Sequence, residues 1–176
     1  MALYHCHAKA LSRGTRSTVR AVAYRTGCEL TDVQTAETFV YKNKDVHSVV
    51  LILPKDAPEW SIEIQKLIKE DRQSGIQALS NSVEEAEKRI DARVWREFEF
   101  SLHRELTHEQ NISLAKEFAE DQISSRGMAA LLNFHFDKDE ETGEEKPHCH
   151  VLVPTRRLSE DGFHAKKEND WNKKSL

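Results

Sequence analysis

Long apolar runs are missing from this chain: no segment approaches the ~18 consecutive apolar residues that a membrane-spanning helix needs, so insertion into a bilayer is not expected. Met1 to Leu11 lacks a basic segment leading into an apolar stretch with a small-residue cleavage site. It therefore reads as a first strand and not a signal peptide, and a cytoplasmic protein is expected. Cysteine is sparse. Cys6, Cys28 and Cys149 form an odd set without CxxC or CxxxC spacing, which argues against a disulfide framework and against a cysteine-based zinc site. They read as small buried hydrophobes in a reducing compartment. No GxxxxGK[ST] segment is present, which excludes ATP-driven helicase chemistry within these residues, and no internal repeat is visible.

What is present is an ordinary globular composition on the polar side. With 176 residues, 38% hydrophobic and 32% charged, residues 1–176 suffice for one domain with a real core. A net charge of −4 by itself counts against a nucleic-acid partner, because phosphate contacts need a basic surface. The distribution reverses that argument. Residues 1–28 carry Lys9, Arg13, Arg16, Arg20 and Arg25 with no Asp or Glu, the acidic excess lies between about residues 56 and 145, and Lys and Arg return from Lys146 onward. Two basic ends around an acidic middle permit a local basic groove.

The pattern along the chain predicts an α+β fold. Leu3 to Ala8 alternates as a strand; a helix runs from Ser17 to Gly27, where glycine ends it; and the β-branched stretch Asp45 to Leu53 is a buried strand closed by Pro54. Residues 59–70 and 80–92 have helical composition, with a polar loop around Gly75 between them. Val94 to Leu102 alternates strictly, putting Phe98, Phe100 and Leu102 on one face and Glu97 and Glu99 on the other. Thr107-His-Glu-Gln is a capping box for a helix with Leu114, Phe118 and Ile123 in its apolar stripe. Met128 to Phe136 and His148 to Pro154 read as a hairpin across a polar stretch around Gly143. Residues 159–176 read as a polar, disordered tail, and the abrupt ending suggests the N-terminal part of a longer protein.

Chemistry concentrates in that hairpin. His148 and His150 are two apart on a strand, so both imidazoles point to one face while Cys149 and Val151 point to the other. On the partner strand His135 lies between Phe134 and Phe136, which should face the core and leave His135 beside the pair. Three neutral imidazoles suit a divalent metal with open positions. A lone HxH is weak evidence, since ordinary strand histidines give the same pattern, and the third histidine is what strengthens it. His5 and His7 make a second HxH, but no hairpin supplies it with a third ligand. Glu97 and Glu99 either orient a ligating histidine or belong to a solvated strand face. Tyr24, flanked by Arg20 and Arg25, is either a packing residue or a nucleophile with positive charge nearby. A zinc hydrolase, a non-haem iron enzyme and a metal-stabilised nucleic-acid-binding module remain open on these residues alone.

Three stretches carry a resemblance. Arg16 to Gly27 (RSTVRAVAYRTG), Trp95 to Leu102 (WREFEFSL) followed by Arg104-Glu105-Leu106-Thr107, and Pro147 to Arg156 (PHCHVLVPTR) are similar to the ordered motifs of the MobA/MobL family of conjugative relaxases, which are HUH-type DNA-nicking enzymes. The order matters as well, with the tyrosine first and the histidine pair last. His103 stands where many relatives have proline.

The resemblance implies an antiparallel central β-sheet flanked by helices, a palm or ferredoxin-related relaxase core. It implies Tyr24 as nucleophile, Glu97 and less firmly Glu99 as acidic partners, and His135, His148 and His150 as ligands of a divalent metal. Mg or Mn would be in use, and Zn or Ni in the isolated protein. Arg13, Arg16, Arg20, Arg25 and Arg156 become candidates for phosphate contacts. The implied partners are single-stranded DNA at a transfer origin, accessory relaxosome proteins and a coupling protein, with the chain acting as a monomer.

Overall fold

A computed structural model of the chain describes residues 6–14, 17–42 and 46–172. In order they form β1 (Cys6–Ser12), α1 (Thr18–Thr26), β2 (Glu29–Thr31), β3 (Thr38–Val40), β4 (Ser48–Ile52), α2 (Glu59–Glu70), α3 (Arg72–Glu85), β5 (Arg93–Ser101), α4 (His108–Gln122), β6 (Ala130–Lys138), β7 (Glu145–Pro154), β8 (Arg156–Ser159) and β9 (Gly162–Lys167). Five strands build one sheet in the order β1-β5-β7-β6-β4, and each neighbouring pair is antiparallel. β2–β3 and β8–β9 are separate hairpins. The fold is the expected α+β one, a central antiparallel sheet flanked by helices.

Period-two alternation explains why the sheet holds two cores. Leu132 and Phe134 on β6 and Cys149, Val151 and Val153 on β7 point to one side, where Ala115 and Ala119 of α4 cover them. Leu131, Leu152 and Trp95 point to the other side, where α1, α2 and α3 supply Val19, Val22, Ile68, Ile76 and Leu79. Along this second face the apolar stretch stops partway. Past Leu131, Leu152 and Trp95 its positions become Asn133, His135, His148, His150, Glu97 and Glu99. One sheet face is thus core at one end and polar at the other, and α1 lies over the transition.

Several predicted features stand where expected. α1 ends at Gly27, whose left-handed φ of 64° lets Cys28 N–H reach the Ala23 carbonyl at 3.1 Å. Thr107 and Gln110 form the capping box of α4. The long hairpin pairs His135 with His148.

Other features differ, each for a physical reason. Gly75 lies inside α3 and not in a loop, because α2 and α3 pack so closely there that a Cβ would come within 2.5 Å of the Ile68 backbone nitrogen. The break between the helices falls instead at Asp71, whose carboxylate accepts from Ser74 N–H and caps α3. Leu114 and Phe118 do not form the buried stripe of α4: they are 46% and 48% exposed, and the packed face consists of Asn111, Ala115 and Ala119. Small side chains bring the helix close to the strands. The stretch after Ser159 is an ordered hairpin through Lys167, pinned by Trp60, which donates to the Ser159 carbonyl at 2.8 Å and meets Phe163 edge-on at 5.5 Å. Cys6 is exposed on the edge strand, whereas Cys28 and Cys149 are buried as expected, and all three are free thiols. Among the described residues β1 runs from Cys6 to Ser12, past the expected end at Ala8, and Leu3 to His5 lie outside the described residues.

Candidate active site

The polar end of the sheet assembles the three histidines. Register sets His135 opposite His148, and His150 between Asn133 on β6 and Glu99 on β5. The three ring centroids stand 5.0 to 5.1 Å apart. His135 is fully buried and His150 is 6% exposed, while His148 lies nearer the surface.

One nitrogen of each ring is committed to an oxygen that can only accept. His135 Nε2 donates to the Arg25 carbonyl at 2.9 Å, His148 Nδ1 to the Lys146 carbonyl at 2.9 Å, and His150 Nδ1 to the Glu97 carboxylate at 2.8 Å. A neutral imidazole with one nitrogen so committed carries its lone pair on the other, the form and orientation metal ligation requires. The donor set therefore fits a divalent cation. Two groups of ligand atoms lie within 4.8 Å of one another among the described residues: His135, Asp137 and His148 form one, and Glu97, Glu99 and His150 the other.

Glu97 organises the floor of the site. It is 1% exposed, yet Arg25 meets it through both guanidinium ends, with Nη2 to Oε2 at 2.9 Å, and Lys9 lies 3.3 Å away. Burial pushes its pKa up, but the hydrogen bonds from His150 and Arg25 and the charges of Arg25 and Lys9 outweigh that and hold it at about 2. Glu99 is less engaged, 3.6 Å from His150 Nδ1.

Tyr24 occupies the last full turn of α1, 43% exposed, beside an open groove of about 720 Å³ between α1 and β1. Lys9, Arg13, Arg20, Arg25 and Tyr41 share its walls, and among the described residues no carboxylate lines it. Tyr41 meets the Tyr24 ring edge-on at 5.3 Å and accepts from Arg20 Nε at 3.0 Å, and the Arg25 guanidinium stands 5.8 Å from the Tyr24 ring centre. Arg25 joins this groove to the histidines: its carbonyl receives His135 and its side chain holds Glu97.

The arginines divide by environment. Arg20 is exposed along the groove. Arg13 borders it, but its nitrogens are committed to the Glu84 carboxylate and to the Glu84, Glu87 and Arg89 carbonyls, so it braces α3 against the loop before α1. Arg25 is spent on Glu97. Arg156 is paired with buried Glu87 and the His164 and Ala165 carbonyls, and it follows the strand end opposite the histidines. Arg16 lies outside the described residues. Sequence reading missed Tyr41 and Asp137, and it placed Lys9 only in the basic N-terminal stretch and not beside Glu97. Strand period alone could have found Asp137, two residues beyond His135, and Lys9, two beyond His7; Tyr41 carried no such signal.

Comparison with known proteins points one way. The MobA/MobL family matches residues 16–175. The conjugal transfer protein TraA of Agrobacterium fabrum (strain C58 / ATCC 33970) is 40% identical over 95% of this chain, and the mobilization protein MobL of Acidithiobacillus ferridurans is 33% identical over 95% of it. The chain spans 15% of the first protein's length and 46% of the second's. A solved structure described as the molecular basis of vancomycin resistance transfer in Staphylococcus aureus aligns with a TM-score of 0.78 at 29% identity, covering 98% of this chain and 84% of that one.

Proposed function

The chain belongs to the MobA/MobL family, and from that membership we propose that it nicks one DNA strand at a plasmid transfer origin by tyrosine transesterification. Tyr24 Oη forms a bond to phosphorus as the bond from phosphorus to the 3′ oxygen breaks. The phenol loses its proton, the 3′ oxygen leaves as a hydroxyl, and a 5′-phosphotyrosyl link remains. One phosphoester replaces another without hydrolysis, so the reverse reaction rejoins the strand. That reversibility suits an enzyme that opens and closes a plasmid during transfer.

The observation that carries this reading is the double use of Arg25. The residue after Tyr24 hydrogen-bonds His135 through its backbone and Glu97 through its side chain, and Glu97 in turn holds His150. The tyrosine-bearing helix turn and two of the three imidazoles are thereby held as one unit. Positioning of this kind lowers a barrier by removing the freedom of the reacting groups. His135, His148 and His150 would hold a divalent cation, Mg²⁺ or Mn²⁺, which when bound supplies charge neutralisation at the scissile phosphate. Glu97 acts on His150, fixing its tautomer and turning Nε2 inward. Glu99 supports the same ring from the strand edge. Lys9 and Arg20 offer positive charge along the groove for the phosphates of single-stranded DNA, and Tyr41 offers a ring face for a base. Accessory relaxosome proteins and a coupling protein are the partners this role calls for, in the cytoplasm.

Single-stranded oligonucleotides spanning the transfer origin of the encoding plasmid, incubated with the chain and Mn²⁺, should give a slower-migrating covalent adduct. Tyr24→Phe should give none. A hydrolase or oxygenase using the same histidines would keep its turnover in Tyr24→Phe, and a wild-type chain that forms no adduct with any such strand overturns the proposal.

A further inference from the structure

Asp137 carries none of the motif signal that singled out the histidines, yet its carboxylate shares their site. Strand alternation sets it on the face of Asn133 and His135. A carboxylate oxygen of Asp137 falls within 4.8 Å of ligand nitrogens of both His135 and His148, and Oδ2 stands 4.0 Å from His148 Nε2. That nitrogen carries the lone pair, because Nδ1 of the same ring donates to the Lys146 carbonyl.

The spacing is informative. At 4.0 Å the contact is too long for a hydrogen bond. Two ligands each about 2.1 Å from one ion, however, lie on the order of 3.0 to 4.2 Å apart, depending on the angle between them. The lysine across the ladder does not claim the carboxylate. Lys146 sits directly opposite Asp137 in the ladder, but its ammonium pairs with Asp139 instead. Asp139 is itself fixed in the hairpin turn by accepting from Glu141 N–H and Thr142 N–H at 2.9 and 2.8 Å. The turn thus holds Lys146 aside, and the Asp137 carboxylate is left facing the lone-pair nitrogen of His148.

We propose that Asp137 is a fourth protein ligand of the divalent cation held by His135, His148 and His150. This rests on the metal site of the function proposed above and deepens it by setting the site's preference. Three imidazoles alone suit zinc and other borderline ions, whereas an added carboxylate oxygen brings negative charge and a hard donor that favour Mn²⁺. With its side chain 46% exposed, Asp137 stands at the mouth of the site, and replacing it opens no cavity in either core.

The test uses metal alone, without DNA. Demetallated wild-type chain, Asp137→Asn, Asp137→Ala and His148→Ala are titrated calorimetrically with Mn²⁺ and with Zn²⁺, and their metal-free melting is compared. Both Asp137 variants should melt like wild type without metal. They should bind Mn²⁺ at least tenfold more weakly, within the ~10–100-fold range that loss of even an outer partner produces, and lose less for Zn²⁺. Mn²⁺ affinity within twofold of wild type in Asp137→Ala, with His148→Ala having lost it, overturns the Asp137 assignment alone. Wild-type chain that binds neither ion, or His148→Ala that binds as wild type does, overturns the three-histidine site and the Asp137 assignment together.

Discussion

Replacing Glu97 by Gln removes one charge at the point where Arg25, Lys9 and His150 meet, and its cost can be worked out as a function of pH. The carboxyl titrates at about 2 in the fold against 4.5 for an ordinary glutamate, a difference worth roughly 3 kcal/mol when the group is ionised in both states. Because the folded value is the lower one, this stabilisation is complete above the unfolded value and is lost as pH falls through the folded one. It drops below half by about pH 3 and is nearly gone at about pH 2. Urea unfolding followed by far-ultraviolet circular dichroism should place Glu97→Gln about 3 kcal/mol below wild type at neutral pH, with the gap narrowing to less than half of that near pH 3. Glutamine keeps the shape, so any penalty from altered packing is common to every pH and drops out of the difference. A gap of equal size at neutral pH and near pH 3 would refute the reasoning, since it would mean that Glu97 is not held as a paired carboxylate.

Three further outcomes follow from the packing. Gly75→Ala should lower the melting temperature, by the ~1–3 kcal/mol typical of overpacking, because its Cβ meets the backbone of Ile68; a raised melting temperature, as helix propensity alone would give, refutes the close helix contact. Under native conditions a thiol reagent such as DTNB should modify Cys6 rapidly and spare buried Cys28 and Cys149, whose thiol pKa values burial pushes up; three fast-reacting thiols would contradict the placement of β7. Thr107→Ala should destabilise by about 1 kcal/mol through loss of the α4 cap, read by thermal melting, and Gly at the same position should cost less.

What could be read from the sequence was what strand and helix periods encode locally. His135 facing His148 followed from alternation on two strands and a polar turn between them, and the Thr107 cap and the Gly27 stop followed from side-chain chemistry within one helix turn. The arginines were illegible for the opposite reason. Arg13 and Arg156 find their carboxylates about 70 residues away, at Glu84 and Glu87, and composition cannot tell a cation that will face solvent from one that will brace a buried acid. Gly75 misled because glycine marks a loop in most polar surroundings, and only the neighbouring helix reveals that it is there for closeness. Leu114 and Phe118 misled because size suggested burial where Ala115 and Ala119 permit tighter contact. The stretch beyond Ser159 looked like solvent-exposed chain because its anchor, Trp60, lies a hundred residues earlier in the sequence.

The alternation along β6 and β7 also makes chemistry and stability separable in engineering. Positions 133, 135, 137, 148 and 150 point into the polar site, and the residues between them, Phe134, Phe136, Cys149 and Val151, pack against α4. A combinatorial library confined to the first set would vary donor type and charge while leaving that core untouched. Its members could be sorted for new metal preferences before any was screened for loss of fold.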